Sequence, residues 1–190
     1  MKGKKILVAV ITVLLVVGIL AGFVAGSYNS LVQKQTQLET KQADIQTQLQ
    51  RRADLIPNFA ATVKGYSDFE KETLSAVTEA RSAVSKANSG ESLSQANDQL
   101  DRAISVWVNA VTEAYPELKA DKNYLALQDE LAGTENRIAV ARRDYNAAVQ
   151  EYNLAIRSFP KNIFAGMFGF EKAELFSAEE NAQTAPSVTF

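Results

Sequence analysis

Residues 6–25 form an uncharged run that sets the terms for everything after it; only Thr12, Gly18 and Gly22 interrupt its Val, Leu, Ile, Ala and Phe. At about 1.5 Å of rise per residue, a helix over this run is roughly 30 Å long, the thickness of a bilayer's hydrocarbon core. Lys2, Lys4 and Lys5 lie on one flank, whereas Gly26, Ser27, Asn29 and Ser30 on the other carry no charge. By the positive-inside rule the N-terminus stays in the cytoplasm and the remainder is exported. The expected organisation is a basic start at 1–5 and a single-pass transmembrane anchor at 6–26. A cleaved signal peptide is the alternative, with Val24-Ala25-Gly26 as the small residues around a cut. The run exceeds the usual apolar region of about 7–15 residues, and no cysteine offers a lipidation site, so a retained anchor is the reading adopted.

Gly18, Gly22 and Gly26 fall four apart and stack on one helix face. Such small-residue faces let two backbones approach and pack in lipid, so self-association through this face is expected, although glycine is also common in membrane helices generally. The expected partners are the lipid bilayer, further copies of the chain and other membrane proteins.

Three of the 20 basic residues, and none of the 22 acidic ones, precede residue 27, so the exported part is net acidic. That disfavours a nucleic-acid surface, which requires a basic stripe. The chain has no cysteine and no histidine. It therefore lacks a thiol nucleophile, a disulfide framework, the commonest general base and the commonest soft-metal ligand. No cofactor or metal and no enzymatic activity are expected. Four prolines and nine glycines suit long helices and not a sandwich of short strands.

The exported part, residues 27–160, reads as an antiparallel up-and-down four-helix bundle. In the first helix Leu31, Leu38 and Ile45 recur every seven residues and Leu49 continues the stripe, with Gln35 and Gln42 expected at the intervening seam positions. Pro57 predicts a break or kink, with Asp54 capping a second helix; three long helices with a kink at Pro57 is the alternative. The second helix carries Phe59, Val63, Tyr66, Val77 and Val84 and ends near Ala87. After the turn at Asn88-Ser89-Gly90, Ser92-Leu93-Ser94-Gln95 has capping-box spacing and opens a third helix. Leu93, Ala96, Leu100, Ile104, Trp107, Val111 and Tyr115 form its stripe, and Pro116 ends it. The fourth begins after Asp121. Its bulky line is Leu131, Ile138, Tyr145, Tyr152 and Phe159, its smaller line Leu127, Thr134, Ala141, Ala148 and Ala155, and Pro160 stops it.

The pairs Tyr28-Asn29, Tyr145-Asn146 and Tyr152-Asn153 repeat, the last two one heptad apart. Seam tyrosines beside polar flanks explain the repeat, and Asn bridging between helices is the richer alternative. Residues 161–176, rich in phenylalanine (Phe164, Phe168, Phe170, Phe176), are expected to cap one end of the bundle. Insertion into the lipid interface is the alternative, since four antiparallel helices return the chain to the membrane side. Residues 177–190 are small, polar and without periodicity, a composition expected to be disordered.

The stretch Arg51-Arg52-Ala53-Asp54-Leu55-Ile56-Pro57-Asn58 resembles the RRxDLIPN signature of LemA family proteins. In the same order follow Val63-Lys64-Gly65-Tyr66, Glu70-Lys71-Glu72-Thr73-Leu74, Thr78-Glu79-Ala80-Arg81, Tyr115-Pro116-Glu117-Leu118-Lys119-Ala120, Leu127-Gln128-Asp129-Glu130-Leu131 and Thr134-Glu135-Asn136-Arg137-Ile138-Ala139. Tyr145-Asn146, Tyr152-Asn153 and Phe159-Pro160 complete a resemblance that covers residues 28–170. Phe59 and Phe69 depart from it, standing where an aliphatic residue and a histidine are usual. The resemblance implies a bacterial anchor in the cytoplasmic (inner) membrane followed by an extracytoplasmic four-helix bundle, in a family for which no enzymatic activity, cofactor or metal is established.

Among the motif residues, Arg51, Arg52, Asp54, Asn58, Glu79, Arg81, Glu135 and Arg137, with Pro57 and Asn136 beside them, are expected to act structurally as interhelical pairs that fix register. The alternative is a carboxylate cluster of Glu70, Glu79 and Glu135 binding a hard cation. Two functions follow: a non-catalytic interaction or scaffold module at the bacterial membrane, or an envelope enzyme or ligand sensor using the Arg/Asp/Glu cluster in a bundle cleft.

Overall fold

The computed structural model describes residues 2–64 and 71–176, and over these the chain is all-helical. Its helices are α1 (Lys2–Lys64), α2 (Lys71–Lys86), α3 (Gly90–Ala114), α4 (Lys122–Arg157) and the short α5 (Lys161–Ala165), with a 3-10 turn at Pro116–Ala120. Val63, Tyr66, Phe69, Glu70, Val77 and the expected disordered segment 177–190 lie outside the described residues or side chains.

Pro57 does not break the chain: α1 runs through it. Proline removes one backbone donor and crowds the carbonyl four residues earlier, at a cost of about 3 kcal/mol in a helix interior. The face of α1 around it explains why helix persists. Ala53, Ile56 and Phe59 are almost wholly buried on one side, while Pro57 itself points outward. The Phe59 ring meets Trp107 and Tyr124 edge-on at 4.7 and 5.0 Å. Ending the helix at Pro57 would swing these side chains out of phase and empty the core they fill. The described part of α1 reaches Lys64, and α2 is described from Lys71.

Other boundaries follow local chemistry. The capping box opening α3 lies one turn earlier than its spacing suggested. Ser89 is the N-cap, its hydroxyl accepts from the Ser92 amide, and the Ser92 hydroxyl accepts from the Ser89 amide. Asp121 Oδ1 accepts from the amides of Asn123 and Tyr124 and so starts α4.

The chain divides into two compact units, each described by itself. One comprises Met1–Leu38 and Ala148–Ala173. Here Leu31 and Leu38 of α1 are buried along with Val149, Tyr152, Ala155 and Ile156 of α4. Lys34 pairs with Glu151 at 3.1 Å, and Lys161 Nζ donates to Ser30 Oγ at 2.9 Å. Asn153 grips the backbone of Ala173 from both sides, accepting from its amide at 2.9 Å and donating to its carbonyl at 2.8 Å.

The other unit comprises Glu39–Ala147 and the chain from Glu174. Four helices contribute its core: Ile45, Leu49, Ile56 and Phe59 of α1, Ala80 and Val84 of α2, Leu93, Leu100, Ile104, Trp107 and Val111 of α3, and Tyr124, Leu131, Ile138 and Tyr145 of α4. The fully buried Tyr124 was not anticipated; it continues the bulky line of α4 one heptad towards its start. Its hydroxyl lies 2.6 Å from Thr112 Oγ1. Thr112 gives its own proton to the Val108 carbonyl, so Tyr124 is the donor. At the opposite end the line stops short, because α4 ends at Arg157 and Phe159, no longer in helical phase, is 79% exposed.

Lys34, not Gln35, takes the first intervening seam position of α1, and at the second Lys41 and Gln42 are both half-buried. Gln35 is exposed, whereas Lys34 is half-buried; Lys34 and Lys41 face Glu151 and Asp144, the latter pair at 4.0 Å. Their aliphatic stems cover the seam while the ammonium groups reach carboxylates at its edge.

Asn146 repeats the grip of Asn153, accepting from the Phe176 amide at 2.8 Å and donating to its carbonyl at 3.0 Å. Tyr145 Oη donates to the Glu174 carbonyl at 2.9 Å, and the Arg142 guanidinium lies 4.5 Å above the Phe176 ring. Burial and the Glu174 carboxylate push the Tyr145 phenol upward, which keeps it a proton donor. Tyr145, Asn146 and Asn153 therefore bind returning backbone instead of bridging helices; Asn29 in the first pair is exposed.

Gly90 is required for this return, since a Cβ there would lie 2.6 Å from the Glu174 carbonyl oxygen and 2.7 Å from Tyr145 Oη. Gly90→Ala is expected to displace the 174–176 segment at a cost of about 1–3 kcal/mol. Faster proteolytic cleavage after residue 170, with a lowered thermal midpoint by circular dichroism, is the expected readout.

Candidate functional site

Two features carry functional weight, and each belongs to one unit. The first is the start of α1. Among the described residues one helix, over Gly3–Phe59, is long and apolar enough to cross a membrane, and its apolar window is not buried at all. Ile6, Leu14 and Ile19 each expose about two thirds of their surface. A Cβ added to Gly18, Gly22 or Gly26 meets nothing within 4 Å, so the glycine face has room for close approach.

The second is the polar set around the Arg51–Asn58 motif. It forms three separate groups. In the first, Arg52 is 8% exposed and lies against Asp101 Oδ1 at 2.9 Å and against Glu135 Oε2. Both contacts are ion pairs between helices. Asn97 Nδ2 donates to the other Asp101 oxygen at 2.9 Å. Gln48 Oε1, Arg52 Nε and Asn97 Oδ1 are buried without hydrogen-bond partners among the described residues. Desolvation lowers the Arg52 pKa and the Asp101 charge raises it, which leaves a cation held by two carboxylates.

In the second group Arg51 Nη2 and Arg137 Nη1 both donate to Glu130 Oε1, at 2.9 and 3.2 Å. These two hydrogen bonds hold the Glu130 carboxyl below its ordinary range. The third is Asp54 Oδ1, which accepts from Arg81 Nη2 at 2.6 Å and from Gln50 Nε2 at 3.0 Å. Glu79, Pro57, Asn58 and Asn136 are exposed outside these pairs.

The residues that complete the groups, Asp101, Asn97, Gln48 and Glu130, were missed. The available signals were polar: Asn97 interrupts the apolar face of α3 with Asp101 one turn on, and Glu130 stands two turns before Arg137. Of the suggested cation ligands, Glu70 lies outside the described residues, Glu79 is exposed and Glu135 faces Arg52. No cluster of three or more His, Cys, Asp or Glu side chains suited to a metal occurs among the described residues. An open groove of about 680 Å³ passes Arg51, Asp54, Leu55 and Asn58. The charged groups at its wall are already paired with Glu130 and Arg81.

An uncovered apolar helix continuing into a bundle with paired charges defines a class of helical protein that fits membrane anchoring. The profile of the LemA family matches residues 41–190, and the chain belongs to this family. It is similar to Protein LemA of Metamycoplasma hominis, with 30% identity over 88% of this chain and 76% of that protein. It is also similar to Magnetosome protein MamQ 2 of Paramagnetospirillum magneticum, with 27% identity over 99% of this chain and 78% of the relative. Magnetosome protein MamQ of Magnetospirillum gryphiswaldense is 24% identical over 85% and 68% of the two chains.

Removing the central cation tests the buried group. Arg52→Ala leaves Asp101 and Glu135 facing each other and is expected to cost about 2–4 kcal/mol, below the fully buried case because Glu135 reaches solvent. Replacing Arg52, Asp101 and Glu135 together with Met, Leu and Leu is expected to recover most of that loss in thermal melts. Glu130 supplies a pH test. Its folded-state pKa is depressed, so its contribution is complete above the ordinary value of 4.5 and is lost as pH falls below it. Glu130→Gln is expected to flatten the acid limb of the stability profile in that range and to lower stability near neutral pH only slightly, because the pairs are exposed.

Proposed function

We propose that this chain is a non-catalytic, membrane-anchored scaffold: a single-pass protein of the bacterial cytoplasmic membrane, with residues 1–5 in the cytoplasm and the bundle outside. It acts by presenting that bundle to other copies of itself and to other membrane proteins. The observation that carries this reading is the open glycine face of an uncovered apolar helix that continues as a bundle helix. Close backbone approach at Gly18, Gly22 and Gly26 pairs anchors in lipid and brings the attached bundles together. The flanking lysines set the orientation.

Two of the relatives are magnetosome proteins. A sensor reading would place a ligand in the groove beside Arg51 and Asp54. The prior engagement of both groups in ion pairs supports a structural role for them.

The test is in-membrane photocrosslinking from the exposed position Gln35 in the full chain. A ladder of self-crosslinks is expected, and Gly22→Ile is expected to reduce it about tenfold, equivalent to roughly 1.4 kcal/mol of helix association. Monomer alone, with no adduct, would overturn the scaffold reading. A single heterologous adduct would replace self-association with a partner.

A further inference from the structure

We propose that residues 159–168 form a second membrane contact, an apolar foot lying in the lipid interface beside the anchor. This rests on the anchor reading above. Contacts within the unit of Met1–Leu38 and Ala148–Ala173 fix the level of this segment along α1. Lys161 bonds Ser30, and the Tyr28 ring meets those of Phe168 and Phe170 at 5.1 and 5.7 Å. A groove of about 580 Å³ carries the registration further down, with Phe23 and Gly26 on its α1 wall and Phe159 and Pro160 opposite.

Phe23 lies inside the uncharged run, and Tyr28 and Ser30 follow its end by three and five residues. At about 1.5 Å per residue they stand roughly 5–8 Å beyond the hydrocarbon edge. The headgroup layer on each side of a bilayer is itself about 5–8 Å thick. A segment tied to residues 23–30 of a membrane-crossing helix is therefore held within that layer.

What it presents there is apolar. Phe159 and Met167 are 79% and 77% exposed, and Ile163 and Phe168 about half. Large apolar side chains clustered at one level of a water-facing surface are a poor arrangement, whereas the headgroup–acyl boundary favours them. The segment lacks a basic face, and Lys161 is already bonded to Ser30. The occupant is thus the acyl and glycerol boundary of the bilayer and not an anionic headgroup. Attachment to the anchor raises the local concentration of this surface at the membrane, so four side chains suffice without independent affinity.

The absence of cysteine makes the test direct. Single cysteines replacing Val13, Ile163 or Met167, all exposed positions, are labelled with an environment-sensitive fluorophore in the full chain. The protein is reconstituted in phosphatidylcholine vesicles carrying nitroxide lipids at shallow or deep positions. The expected result is preferential quenching of Val13→Cys by deep nitroxides and of Ile163→Cys and Met167→Cys by shallow ones, with blue-shifted emission and loss of most of the signal at all three. Quenching at Val13→Cys with water-like emission at 163 and 167 overturns the foot and leaves the anchor intact. Blue-shifted but unquenched emission at 163 and 167 also overturns it, assigning the patch to a protein partner. An unquenched Val13→Cys overturns the anchor, and the foot with it.

Discussion

Water cannot be the solvent for the start of α1. Thirteen large apolar side chains between residues 6 and 23 are exposed, and nothing described in the chain covers them. Each is worth about 1.5–3 kcal/mol when fully buried, so together they outweigh the roughly 5–15 kcal/mol net stability of an ordinary domain. A surface of this kind fits membrane anchoring. The continuity of α1 transmits this requirement to the bundle, because the helix that supplies the apolar run also supplies Ile45, Leu49, Ile56 and Phe59 to the core.

Within that core, opposite charges are held where apolar side chains would pack equally well. Burying Arg52 between Asp101 and Glu135 is not an efficient way to gain stability, since desolvation offsets most of the attraction. We infer that what the arrangement supplies is selectivity among registers. A one-turn slip of α1 against α3 or α4 would leave a guanidinium and two carboxylates unpaired, whereas an apolar layer would tolerate the slip. The Glu130 and Asp54 groups repeat the restriction nearer the surface, at little energy each.

Heptad spacing made the helical class, the seams at Leu31, Leu38 and Ile45, and the stripe from Leu93 to Val111 legible in the amino-acid sequence. Periodicity reports which face is apolar and is silent on how far a helix persists. Pro57 shows the difference: its local preference is to interrupt, and the burial of Phe59 against Trp107 and Tyr124 outweighs that preference. The polar groups were half legible. Arg52 and Glu135 stood out through a motif, but Asp101 meets Arg52, and Glu130 meets Arg51, only once α1, α3 and α4 are packed; of these contacts only the two-turn spacing of Glu130 and Arg137 is written in the linear sequence. Lys34 and Lys41 were overlooked because a lysine is read as solvent-facing, although its stem can cover a seam.

The side-chain amides of Asn146 and Asn153 each engage both the amide and the carbonyl of one residue, Phe176 and Ala173. Recognition of this kind is blind to what the gripped residue carries. Residue 173 is therefore free to drift chemically over evolutionary time, provided it does not become proline, whereas Phe176 is held as well by its buried ring under Arg142, and positions 146 and 153 have almost no substitutes. Aspartate would turn the donating nitrogen into a second acceptor facing a carbonyl, and glutamine would overreach by a methylene. The same asymmetry makes the grip vulnerable to ageing: deamidation of either asparagine, a change of one atom, would convert an attachment into a repulsion.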